Sequence, residues 1–164
     1  SDLYLGPVFD AKEMEKEKFV SMALSFIGCA EINFGDQFVE DGFDCSGFVR
    51  FLLKKAGYTN HIPRYANEIF DSFGTSVHEP CREMGDLIFF SYKKGFPNHV
   101  GVLVSKDDYI HLPSRHGVKV VCVDSIRWKI IQPQVGVPQI YSSNPIGFKR
   151  ITVKNGRYQQ IFLK

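Results

Sequence analysis

The sequence predicts an α+β domain in which N-terminal helices pack on a mostly antiparallel β-sheet. Three observations lead there. Amphipathic helical patterns fill the first part of the chain, and short β-branched and aromatic runs punctuated by Gly, Pro, Asn or Asp follow Pro80. A length of 164 residues with 44% hydrophobic content gives one sizeable core rather than two, so a single domain over 1–164 is expected.

The first element is a helix from Asp10 to Gly28, capped by Asp10 with Glu13 three residues on, and with Phe19, Met22, Ala23, Phe26 and Ile27 on one face. A second helix is predicted over Asp44 to Ala56. Cys45, Phe48, Val49, Leu52, Leu53 and Ala56 recur there at three- and four-residue steps, and Gly57 is placed to end it. A third, shorter helix fits Tyr65 to Phe73, stopped at Gly74. Strands are expected in "DLIFFS" from Asp86, "HVGVLV" from His99, "YIHL" from Tyr109, "VKVVCV" from Val118 and "GFKRITV" from Gly147. Asn155-Gly156 marks a closing hairpin over 150–163. The proline-rich stretch from Gln132 to Pro145 reads as a long ordered loop or an insertion.

Composition excludes several classes of function. Lys and Arg total 20 against 18 Asp and Glu, a formal charge of +2, which gives no case for nucleic acid or an anionic membrane surface. No apolar run approaches the ~18 residues of a membrane span, and the N-terminus has no basic-then-apolar signal pattern. The chain starts without Met, so a leader removed earlier is an open reading. Cys29, Cys45, Cys81 and Cys122 are widely spaced, with no CxxC pair, so neither a zinc site nor a dense disulfide framework is expected.

Three residues are the candidates to carry chemistry. Cys45 falls in a first helical turn, where unpaired N–H groups and the positive end of the helix dipole favour a thiolate. A nucleophile also needs a base, and the base an orienting group. Among the histidines, His61, His78 and His116 lie in turn-like surroundings, whereas His99 opens an apolar strand and His111 lies within another. Polar rings inside strand-like runs need satisfied partners, so two of them in successive strands point to a shared site. Each residue has a structural reading alone: Cys45 as inert core, a histidine as a satisfied strand residue, Asp44 as a helix cap. The order of a helix-start Cys followed by two strand histidines favours a Cys-His-polar triad.

"GFDCSGFV", "GDLIFF" from Gly85, "HVGVLV" from His99 and "YIH" ending at His111 resemble the NlpC-type cell-wall endopeptidases, papain-like cysteine peptidases that cut bacterial peptidoglycan stem peptides. The resemblance runs from about Phe19 to Arg150 and implies a papain-like fold. It implies Cys45 as nucleophile, His99 as general base and then acid, His111 as the residue orienting His99, and the Cys45 N–H as part of an oxyanion hole. It also implies substrate contacts. Asp44 and Ser46 flank the nucleophile, and "IPRYANE" puts Arg64 and Tyr65 near the groove. Glu31 stands where many members carry a Tyr that helps hold the substrate's amino end. The implied substrate bond joins the γ-carboxyl of D-glutamate to a diamino acid, with no metal or organic cofactor. The implied setting is a secreted or cell-envelope monomer acting on peptidoglycan or its stem peptides, with cytoplasmic recycling as another setting. Cys before His favours a hydrolase over the circularly permuted acyltransferases of this fold. The alternatives are a thiol-dependent amidase or acyltransferase, or a non-catalytic peptidoglycan-binding module.

Overall fold

The structure is a computed structural model and describes residues 16–30, 44–91, 96–115, 117–127 and 145–151. Helix α1 covers 16–24. It is followed by α2 (Cys45–Lys55) and α3 (Ala66–Ser72), then by strands β1 (Thr75–Val77), β2 (Leu87–Phe90), β3 (His99–Leu103), β4 (Asp108–His111), β5 (Ser114–Arg115), β6 (Val118–Lys119), β7 (Cys122–Ser125) and β8 (Gly147–Arg150). Six strands form one sheet in the order β1-β8-β2-β3-β4-β7, antiparallel at every pairing, and β5 with β6 makes a separate small hairpin. This is the α+β architecture that the sequence predicts.

Helix α2 begins where expected because Asp44 stays extended and its carboxylate accepts the Gly47 N–H at 2.7 Å, satisfying one of the orphan donors of the first turn. It stops at Ala56, followed by Gly57 at φ 101°, a conformation that costs glycine little. Its buried face, Phe48, Val49, Leu52 and Leu53, joins Phe19 and Ala23 of α1, Ile69 of α3, and Leu87, Phe89, Val100, Val102 and Ile110 of the sheet in one core. Burying side chains of this size contributes about 1.5–3 kcal/mol each. The core thereby fixes the first turn of α2 against β3.

The opposite sheet face has a smaller cluster of Ile88, Phe90, Leu103, Tyr109 and Phe148. Alternation along β3 and β4 places His99 and His111 on this face with Tyr109. The start of β2 is anchored by Asp86, whose buried carboxylate receives the Arg150 fork at 2.8 and 2.9 Å and the Glu83 N–H at 2.9 Å. These bonds compensate a charge that would be costly to bury alone.

Three features differ from the sequence reading. "VKVVCV" is not one strand. Val121 exchanges backbone hydrogen bonds with Gly28 and Cys29 beyond the end of α1, which separates β6 from β7. Strands β1 and β5 have no alternating apolar signature and exist through pairing, β1 with β8 and β5 with β6. The α1 pattern is helical over 16–24 and continues as turns to Gly28. The predicted cap at Asp10 and Glu13, most of the Gln132–Pro145 stretch and the Asn155-Gly156 hairpin lie outside the described residues. Among the described residues, no helix is long and apolar enough to cross a membrane.

Candidate active site

Cys45 is the first residue of α2, half-buried, and its thiol lies 3.8 Å from the carbonyl oxygen of Asn98, the residue before His99. Helix start and strand start therefore meet at one cleft of about 190 Å³, lined by Asp44, Cys45, Asn98, His99, Leu112, Ser114 and Lys119. The electrostatics of the sulfur depart from the expectation of a resting thiolate. Burial pushes the Cys45 thiol up to about 11, and the Asp44 carboxylate adds to the rise, while backbone N–H groups at Val100, Ser46 and Cys45 itself pull the other way. Desolvation outweighs the helix-start donors and favours the neutral thiol over the thiolate. Chemistry at this sulfur needs a base that removes the proton.

The predicted base has a built support. His99 Nε2 lies 2.7 Å from His111 Nδ1, and His111 Nε2 lies 2.7 Å from Asp124 Oδ2. Both histidines and Asp124 are buried. An ionised carboxylate only accepts, so the donor and acceptor count assigns the protons: His111 donates from Nε2 to Asp124, and its Nδ1 accepts from His99 Nε2. His99 Nδ1 is thereby left with a lone pair, the state a general base requires. Aromatic rings pack around the pair. Tyr109 stands edge-on to His111 at 4.7 Å between centroids, and Phe90 lies 6.0 Å from His99. This surrounding keeps water from competing for the two hydrogen bonds.

Asp124 was not among the residues singled out from the sequence. In "VCVDSI" it reads as a strand-end acid. Its place follows from register, since β4 pairs with β7 through His111↔Cys122 and Tyr109↔Asp124, which brings the Asp124 carboxylate to the outer nitrogen of His111. Gly101 matters for the same reason. A Cβ there would lie 2.9 Å from the Ile110 carbonyl and 3.0 Å from the His111 Cβ. Only glycine lets β4 carry a histidine so close to β3.

The predicted substrate contacts divide into two groups. Asp44, Ser46 and Arg64 come together: the Arg64 guanidinium reaches the two Asp44 oxygens at 3.2 and 3.0 Å and the Ser46 hydroxyl at 2.9 Å. The Asp44 charge is thus already partnered within the protein. Tyr65 is exposed, with the Arg64 guanidinium 5.0 Å from its ring centre. Glu31 lies outside the described residues. The sequence reading also missed Ser114 and Lys119, which the β5–β6 hairpin brings to the cleft wall from short, featureless segments.

A helix-start cysteine, a strand-start histidine and helices packed on an antiparallel sheet define a papain-like class of domain. Residues 31–136 match the model of the NlpC/P60 family, and the chain belongs to that family. It is similar to a probable peptidoglycan endopeptidase, LytE, of Bacillus subtilis, with 32% identity over 54% of this chain and 25% of that protein. It is also similar to the gamma-D-glutamyl-L-lysine dipeptidyl-peptidase of Bacillus subtilis, with 40% identity over 44% of this chain and 24% of that protein. The chain thus spans about a quarter of the length of these curated relatives. In fold it resembles the P60 domain of an antigen from M. avium subspecies paratuberculosis, at a TM-score of 0.56 and 21% identity, covering 87% of this chain and 98% of that one.

Proposed function

We propose that this domain is a cysteine peptidase that hydrolyses peptidoglycan stem peptides at the amide between the γ-carboxyl of D-glutamate and a diamino acid. The observation that carries the reading is the ordered relay from His99 through His111 to Asp124, beside a cleft that contains Cys45. His99 takes the Cys45 proton as the sulfur attacks the carbonyl, His99 then protonates the leaving amine, and water releases the acyl group. The N–H of Cys45 at the helix start serves the developing oxyanion. His111 and Asp124 hold the ring of His99 and favour the imidazolium that forms. The substrate class rests on the family and on the relatives named above. A purified stem tetrapeptide incubated with the protein, with and without an added amine acceptor, tests it. Hydrolysis at the γ-D-glutamyl bond in both cases is expected; transfer to the amine identifies an acyltransferase, and no turnover favours a binding module.

A further inference from the structure

The proposed mechanism leaves Cys122 unused, although its sulfur lies 3.7 Å from His111 Nε2 and 3.8 Å from Asp124 Oδ2. The third side of that triangle, His111 Nε2 to Asp124 Oδ2, is 2.7 Å. All three atoms fall within 4.8 Å of one another, and each belongs to a residue type that binds divalent transition metals. A triangle with these sides has a point roughly 2 Å from every corner, close to the ~2.0–2.3 Å of zinc bonds to nitrogen, oxygen and sulfur. The sheet builds this arrangement: His111 and Cys122 are directly paired across β4 and β7, and Asp124 is two residues further along the same face. Cys122 is partly exposed, whereas His111 and Asp124 are buried, so the cysteine is the ligand on the solvent side.

We propose that His111, Cys122 and Asp124 form a zinc-binding inhibitory site, in which the ion silences the domain by occupying the outer nitrogen of the orienting histidine. Spacing alone could not reveal it, because the ligands come from two strands and no CxxC or HxxxH pair is involved. A thiolate with an imidazole and one carboxylate selects zinc over calcium or magnesium, which take oxygen ligands.

The proton balance gives the inhibitory effect. Cys122 loses its thiol proton to solvent and bonds the ion as thiolate. His111 bonds through Nε2, so its single ring proton must sit on Nδ1 and point at His99 Nε2. That nitrogen must then accept, and the His99 proton moves to Nδ1, where the lone pair for Cys45 had been. One proton is released overall, none is created, and the base is lost through a change of tautomer.

The inhibitory effect rests on the peptidase reading and the binding does not, so the two are read apart: binding by spectroscopy and labelling, inhibition by a loss of stem-peptide hydrolysis when zinc is added to unsubstituted protein. Hydrolysis undiminished at zinc levels that protect Cys122 would overturn the inhibitory role. Cobalt(II) serves as the spectroscopic stand-in for zinc, titrated into Cys45→Ala so that a thiolate band cannot come from the candidate nucleophile. A thiolate-to-cobalt charge-transfer band is expected in Cys45→Ala and is expected to vanish in the double variant with Cys122→Ser. Changes behind metal ligands alone cost about 10- to 100-fold in affinity, so losing the Cys122 ligand should weaken binding at least that much. In unsubstituted protein, zinc should slow iodoacetamide labelling of Cys122, as read by peptide mapping. No band in Cys45→Ala, a band that survives in the double variant, or labelling of Cys122 unaffected by zinc would each overturn the proposal.

Discussion

Asp124 Oδ2 and His111 Nε2 stand 2.7 Å apart inside the protein, neither side chain more than 8% exposed. The carboxylate therefore decides which nitrogen of His111 bears hydrogen, and through it which nitrogen of His99 is basic. Asp124→Asn tests this. An asparagine amide that turns its NH2 toward His111 requires a lone pair at Nε2 and reverses both tautomers. The expected result is a fall in kcat of at least about tenfold, up to ~10⁴-fold, with KM little changed. A variant with lowered thermal stability but intact kcat would show that Asp124 is structural only.

His111 is expected to hold the ring of His99 without exchanging protons with substrate. His111→Asn or His111→Gln keeps an amide oxygen able to accept from His99 Nε2, and so should retain more activity than His99→Ala. Steady-state kinetics on all three variants checks the ranking. Equal and complete loss in all three would assign His111 a direct chemical role.

Gly101→Ala probes the close approach of the two strands. The added methyl meets the Ile110 carbonyl at 2.9 Å and the His111 Cβ at 3.0 Å, so β4 must move or strain must be absorbed. Overpacking of this kind costs typically 1–3 kcal/mol, and it displaces His111 relative to His99. Denaturant unfolding should show that loss of stability, together with reduced kcat. Wild-type stability would mean that the strands adapt freely.

Cys45 offers a pH test. With burial as the main cause and Asp44 as a further one, its thiol is raised to about 11, so the neutral form persists through neutral pH and the thiolate accumulates only as pH climbs toward that value. Iodoacetamide labelling of Cys45 in the unliganded protein should keep accelerating from pH 7 to pH 10. Asp44→Asn keeps a capping side chain but removes the charge that raises the thiol, so its labelling profile should shift to lower pH. A wild-type rate already level near pH 7 would indicate a preformed thiolate-imidazolium pair.

Much of this arrangement was legible in the sequence because it has local causes. Asp44 and Gly57 bracket an apolar repeat, and that suffices to place Cys45 at a helix start. His99 and His111 stand out as polar residues in apolar runs. Asp124, Cys122, Ser114 and Lys119 carry no such mark. Their positions depend on which strands pair and in what register, and on the turn at Val121 that splits an apparently continuous run. The upward shift of the Cys45 thiol is not legible in the sequence for a related reason. Helix-start donors are a local feature, whereas the burial that outweighs them comes from the packed molecule.

Cys45 is expected to form an acyl-enzyme with the γ-glutamyl group of a stem peptide. That expectation is tested most directly by mass spectrometry of the protein quenched during turnover of L-alanyl-γ-D-glutamyl-diamino acid, with mapping of the adduct. A thioester on the peptide containing Cys45, release of the free diamino acid, and loss of both in Cys45→Ala are the expected results. Undiminished release of the diamino acid by Cys45→Ala, or an adduct mapped to another residue, would contradict it.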